Sequence, residues 1–248
     1  EVRGFFERMR SERGELASVG IGTFGPAGVV KGKSDYGFIL ETPKPGWSGV
    51  DFLGSVREAF GVGVPVVFET DVNAACFGEW RLGAGRGKES VAYVTVGTGI
   101  GGGLVQGGKI FRGRSHPEVG HMFVGEQGGV CPFHEGCWEG LASGTAMGAR
   151  VGKRAEEIGV GDSAWREETR WLARGAVNLT AAWAPEVILF GGGVSQTNGL
   201  VEMIREEFLR ESGNYWELPP VEEYLQVAGL GQEAGMVGCL ELAAGLVG

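Results

Sequence analysis

The chain has 248 residues, long enough to bury a core as one large domain or as two modest ones. Its net charge of −9 argues against a nucleic-acid surface and against docking on an anionic membrane. It has no run of about twenty apolar residues, so nothing in it is fitted to span a bilayer.

In chain order, Val2, Phe5, Phe6 and Met9 recur at i, i+3, i+4 and i+7, which predicts a helix burying one face. A buried strand over Ala17–Ile21 then breaks into a Gly/Pro turn, where Gly22, Gly25 and Gly28 allow a backbone-lined loop. Residues 31–55 read as loop around a short strand, because Pro43, Pro45 and Gly46 forbid regular structure. Asp51 starts a short helix carrying Phe52, Leu53, Val56, Ala59 and Phe60. A strand over Val64–Glu69 precedes a helix that begins in TDVNAACFGEW.

Ser90–Val96 is a buried strand ending in GTGIGGG. Leu104–Gln106 begins the return strand of a hairpin, with Gly107-Gly108 as its turn. Past a loop at 116–144, a helix is expected over 144–158, and a longer one is marked by Leu172, Ala176, Leu179 and Trp183. Val187–Phe190 is a strand closing on GGGVS, and Leu200, Ile204 and Phe208 mark another helix. A strand over Glu223–Ala228 and a helix over Ala234–Leu246 complete the chain. Repeated strand–helix alternation implies an α/β fold with a mainly parallel sheet covered on both faces. Its crevice should lie at the carboxyl ends of the strands, where the glycine loops at 22–28, 97–103 and 191–193 and the Asp71 turn all fall.

The stretch HPEVGHMFVGEQGGVCPFHEGCWEGLASG carries His121, Cys131, His134 and Cys137, four nitrogen and sulfur donors suited to a closed tetrahedral zinc site. Interleaved acids (Glu118, Glu126, Glu135 and Glu139) cannot all be ligands. The reading is that the metal pins a loop and the loop presents carboxylates to a substrate. The alternative is two ordinary buried cysteines beside two surface histidines. Cys76 and Cys239 are expected as buried thiols, a pattern that fits a reducing, cytoplasmic compartment.

Three further motifs lie at strand ends. VTVGTGIGGG runs a strand into glycines whose successive backbone N–H groups suit an anionic phosphate; a structural turn explains it as well. In TDVNAACFGE, Asp71 opens a helix, either as a plain N-cap or as a general base that takes a sugar hydroxyl's proton, with Asn73 steadying the site. LFGGGVS places Gly191, Gly192 and Gly193 where a flat ring can slide against backbone, and tight packing of the turn explains it equally.

Together GTFGPAG, YGFILETPKPGW, ETDVNAACFGEW, VTVGTGIGGG, HPEVGHM, CPFHEGCWEGLASG, LFGGGVS and GLGQEAGMVGCLELA resemble, in order and over nearly the whole chain, the ROK family of sugar kinases and within it the bacterial-type fructokinases. The resemblance implies an actin-like ATPase (ribonuclease H-like) fold whose two lobes enclose a cleft for ATP, with Mg²⁺, and a hexose, fructose first. One lobe would be 1–91, with the helix at 233–248 packing back on it, and the other 92–232. It makes Asp71 the catalytic base and Asn73, Glu118, His121 and Glu139 sugar contacts. It completes a zinc set of His121, Cys131, His134 and Cys137, sets Thr98 and Gly99 in a phosphate motif and Gly191–Gly193 in an adenosine motif, and implies a homodimer.

The likeness departs at one point. The family's opening Asp-x-Gly-Gly-Thr-Lys-like phosphate loop, whose Asp helps place Mg²⁺, has no counterpart here, so the first lobe is expected to be N-terminally truncated. Phosphoryl transfer is mostly positioning and charge neutralisation, so losing that cradle would cost on the order of thousands-fold in rate. The rival readings are therefore a non-catalytic, zinc-stabilised sugar-binding protein or an inactive fragment of a kinase. A sugar-responsive repressor would need an N-terminal helix-turn-helix, which the sequence does not supply.

Overall fold

Helix α1 (Val2–Arg13) and strand β1 (Val19–Thr23) open the structure, a computed structural model that describes residues 2–247 apart from 62, 126 and 160. Glu126, one of the acids noted in the 116–144 stretch, lies outside the described residues. The face expected of α1 is only partly buried: Phe6 packs edge-on against Phe60, while Phe5 is exposed. No strand forms in 31–55. The loop is held by isolated bridges, Ala27 to Ile39 and Phe38 to Asp51, and by Trp47 between Phe24 and Phe52.

Asp51 caps α2 (Phe52–Phe60) by accepting from the Gly54 N–H. Strand β2 (Val66–Thr70) pairs parallel with β1 and runs directly into α3 (Asp71–Leu82). Strands β3 (Ser90–Val96), β4 (Ile100–Gln106) and β5 (Lys109–Ile110) form an antiparallel meander. Gly107 and Gly108 make its last turn at φ +57° and +73°, left-handed values that match a tight hairpin. Helices α4 (Trp138–Ala142), α5 (Gly144–Val151) and α6 (Ala164–Trp183) follow, then β6 (Val187–Gly191), α7 (Leu200–Ser212), α8 (Val221–Tyr224), β7 (Leu225–Val227) and α9 (Ala234–Ala244).

The five-stranded sheet has the order β5-β4-β3-β6-β7, with β3-β6-β7 parallel and β4 and β5 antiparallel. It is therefore mixed rather than mainly parallel, because the glycine turn at 97–99 folds the chain straight back instead of crossing over. The helix expected over 144–158 stops at Gly152, whose left-handed φ of +70° caps α5.

Strand periodicity builds the core. Ala92, Val94 and Val96 of β3, with Ile188 and Phe190 of β6, face the α6–α7 side, while Val91, Tyr93, Val187 and Leu189 face α3 and α9. Burying each large aliphatic side chain contributes about 1.5–3 kcal/mol. Helix α3 packs against both β3–β4 and α9, and α9 also packs on β1, so these two helices lie between the two sheets. The carboxyl ends of β1, β2, β3 and β6 all open toward one cleft. No helix among the described residues is long and apolar enough to cross a membrane.

Candidate active site

Asp71 stands at the carboxyl end of β2 because Thr70, not Asp71, caps α3: the Thr70 hydroxyl accepts from the Asn73 N–H at 3.2 Å. The N-cap role open to Asp71 from sequence thus belongs to its neighbour. The Asp71 Oδ1 accepts from the Val72 N–H at 2.8 Å, and the side chain lines a cavity of about 330 Å³. Withdrawal from water by the cleft walls raises its carboxyl above the usual range, opposed by the Val72 N–H and the Lys44 ammonium. Such a group is a stronger base than a surface aspartate.

Asn73 is not in that cavity. It is fully buried, and its Nδ2 donates to Glu69 Oε1 at 2.9 Å. Glu69 also accepts from the Thr70 N–H at 2.9 Å and from Arg112 Nε at 3.0 Å. Asn73 therefore stands behind the cavity, supporting the β2–α3 junction.

The same cavity is walled by Lys44, Gly99, His116, Glu118 and Glu139. Glu139 Oε2 accepts from the Ile100 N–H at 2.9 Å, and a Cβ built on Gly99 would sit 2.4 Å from that oxygen, so only glycine leaves the carboxylate its place. Burial raises the Glu118 carboxyl, and the nearby Glu139 charge adds to this. Lys44 rests with its Nζ 3.4 Å from the Phe24 ring centroid. Its loop is held by the Thr42 hydroxyl, which accepts from the Lys44 N–H, and by Trp47 against Phe24.

His121, Cys131, His134 and Cys137 converge, each offering a ligand atom within 4.8 Å of the others. Cys131 Sγ stands 3.8 Å from Nδ1 of both His121 and His134. Zinc bonds of 2.0–2.3 Å in a tetrahedron put donors about 3.5 Å apart, so the S₂N₂ set fits zinc with little adjustment. Burial pushes the Cys137 thiol up to about 11, the opposite of what a bound cation would do. His121 faces this cluster and is not among the cavity-lining residues, so its second expected role, sugar contact, is not seen here. The link between cluster and cavity is short: the His121 N–H donates to the Glu118 carbonyl at 3.0 Å, and Glu139 follows Cys137 by two residues.

A second cavity of about 760 Å³ adjoins the first, and Gly97 and Thr98 line both. Their turn is pinned by α5: the Gly144 N–H donates to the Gly97 carbonyl and the Thr145 hydroxyl to the Thr98 carbonyl, both at 2.7 Å. Of the three glycines expected to meet adenosine, only Gly193 lines this cavity. Gly191 packs against the Tyr93 hydroxyl, and Gly192, at φ +84°, makes the turn against the Val96 carbonyl. Lys153 and Arg154 supply positive charge at the cavity's edge, and neither was legible as a site residue. Lys44 and His116 were missed as well. The sequence signalled only a proline-bound loop around the first, and the second was not separated from the metal stretch.

A model of the ROK family matches residues 1–245. The chain is 43% identical over 231 residues to a fructokinase of Pediococcus pentosaceus, covering 91% of this chain and 80% of that protein. It is 40% identical over 239 residues to a fructokinase of Zymomonas mobilis, covering 92% and 78%. Among solved structures, a ROK hexokinase from Thermus thermophilus superposes with a TM-score of 0.82 at 33% identity, covering 99% of this chain and 85% of that one. A ROK family glucokinase from Streptomyces griseus, in complex with glucose and AMPPNP, gives 0.76 at 33% identity, with 98% and 87% covered.

Proposed function

The chain belongs to the ROK family, with its actin-like ATPase fold, and from that premise we propose that it is an ATP-dependent hexose kinase whose first substrate is fructose. The observation that carries the reading is the pair of adjoining cavities that share the Gly97–Thr98 turn, with Asp71 in the smaller one. A hexose in the smaller cavity and a nucleotide in the larger would meet at that turn. Asp71 accepts the proton of the primary hydroxyl as its oxygen attacks the terminal phosphorus, and the ADP oxygen leaves on the opposite side. Glu118 and Glu139 hold the sugar's other hydroxyls.

Thr98 and Gly99 N–H groups, the α5 N-terminus and Lys153 address phosphate, with Mg²⁺ brought on the nucleotide, and Gly193 lies against adenosine. Zinc on His121, Cys131, His134 and Cys137 is structural: it holds the 116–144 loop so that its carboxylates keep their places. Residues 1–91 with 233–248 form one lobe and 92–232 the other. The same reading takes the protein to the cytoplasm and to a homodimer, which sedimentation analysis checks.

A coupled assay of ADP release with ATP and fructose, glucose or mannose tests it, run on this chain and on the same chain preceded by a strand-and-hairpin unit carrying the phosphate loop. Fructose should give the highest kcat/KM. Hexose binding with no turnover in either form would return the non-catalytic alternative.

A further inference from the structure

The 116–118 segment holds a buried histidine that neither the proposed proton transfer nor the metal cluster uses. His116 is only 8% exposed and is wedged between two parts of the molecule. On one side its Nε2 accepts from the backbone N–H of Ala27 at 3.1 Å, and Ala27 belongs to the core around β1 and β2. A nitrogen that accepts from a backbone N–H carries no proton, so the ring is neutral with its hydrogen on Nδ1. On the other side, Nδ1 faces the Pro117 carbonyl at 3.2 Å and the Glu118 Oε1 at 3.5 Å. The ring is also held from above: a Cβ on Gly25 would stand 3.1 Å from its Cε1 and 3.5 Å from Glu118 Oε1. One side chain thus joins the β1 side of the cleft to a carboxylate on the wall that follows β5.

We propose that His116 is a positioning residue for hexose recognition: it orients Glu118 in the cavity through Nδ1 while the Ala27 N–H fixes its own tautomer and plane. The inference rests on the hexose-kinase reading for the identity of the ligand. The geometry explains why a neutral imidazole suits the place. A protonated ring would set a donor against the Ala27 N–H, and an aliphatic side chain would leave that buried N–H without its partner and take the Nδ1–H dipole away from the Glu118 carboxylate, 3.5 Å off. It also separates His116 from the metal ligands, since neither of its nitrogens is turned toward the Cys131 cluster.

The test is fructose affinity by calorimetry, with kcat and zinc content measured in parallel. His116→Ala should weaken fructose binding about tenfold, the loss expected when a carboxylate that grips the ligand loses its orienting donor, while zinc stays at the parent stoichiometry. His116→Gln, whose carboxamide also carries one acceptor and one donor, should recover at least half of that loss on a logarithmic scale. In the Glu118→Ala background, His116→Ala should change affinity by less than about twofold, because its effect runs through the carboxylate. Unchanged affinity in His116→Ala overturns the proposal, as does a loss that multiplies with that of Glu118→Ala. Absence of turnover in the parent chain would instead overturn the kinase reading, and the ratio of dissociation constants would still decide on His116.

Discussion

Gly99→Ala is a sharp probe of the site, because one methyl group meets one cavity-lining carboxylate. Its Cβ would lie 2.4 Å from Glu139 Oε2, and nothing else in its surroundings comes within 3 Å. Gly99 has no left-handed φ, so alanine is conformationally permitted and the perturbation is steric alone. The cheapest relief is rotation of the Glu139 carboxylate, which breaks its 2.9 Å bond from the Ile100 N–H. Losing a hydrogen bond to a charged group costs about 1.5–3 kcal/mol. The low end applies here, since the site opens to water, and it corresponds to about tenfold in affinity. Calorimetric titration with fructose should therefore show a dissociation constant raised about tenfold, with the unfolding midpoint lowered by only a few degrees. Parent-like affinity in Gly99→Ala would show that Glu139 does not grip the sugar from this position.

Four further outcomes follow from the structure. Asp71→Asn should lower kcat by about 10²–10⁴-fold with zinc content unchanged; retained turnover removes Asp71 as the base. In the parent chain, kcat/KM should fall with acid through a pKa above the usual aspartate range, because burial raises Asp71, and Lys44→Met, which deletes the opposing ammonium, should move that limb higher still. Chelating zinc, or replacing Cys137 by Ser, should lower the melting temperature by at least about 5 °C and weaken fructose binding; elemental analysis finding no stoichiometric zinc would sink this. Glu168, buried against Arg150 at 2.7 Å, has its carboxyl pushed up to about 7 by burial. The folded state then holds a proton that the unfolded chain releases near 4.5. Stability should fall as pH rises from about 4.5 to 7, by about 3 kcal/mol from this group. Urea unfolding at pH 5 and 8 should show that difference in the parent and not in Glu168→Gln.

Where local rules suffice, sequence and structure agree. Ser90–Val96 is the strand expected, Asp51 caps its helix, and Gly107-Gly108 makes the hairpin turn, because each depends on neighbours a few residues away. The misses are tertiary. The periodicity of α1 suggested a buried face, yet Phe5 is exposed, meeting only Phe6 and Arg8 in ring contacts among the described residues. The sheet was expected to be mainly parallel because strand–helix alternation implies crossovers. The 97–99 turn instead returns β4 antiparallel, and a glycine run by itself does not say whether it cradles a ligand or reverses the chain.

The site divides along the same line. The convergence of His121, Cys131, His134 and Cys137 was legible because metal chemistry restricts the residue type and keeps three of the four within seven positions of one another. Asp71 was legible because a strand end followed by a helix start places it at a crevice whatever the rest of the fold does. His116 and Lys44 were not, because what makes them part of the site is 89 residues away, at the Ala27 N–H, in one case and, in the other, a ring on which the Lys44 ammonium rests. Asn73 shows the converse error. Two positions after Asp71 on a helix is about 200° round the axis, so a side chain close to it in sequence is turned into the core, where Glu69 receives it. Proximity along the chain suggested a shared cavity, and helical geometry forbids it.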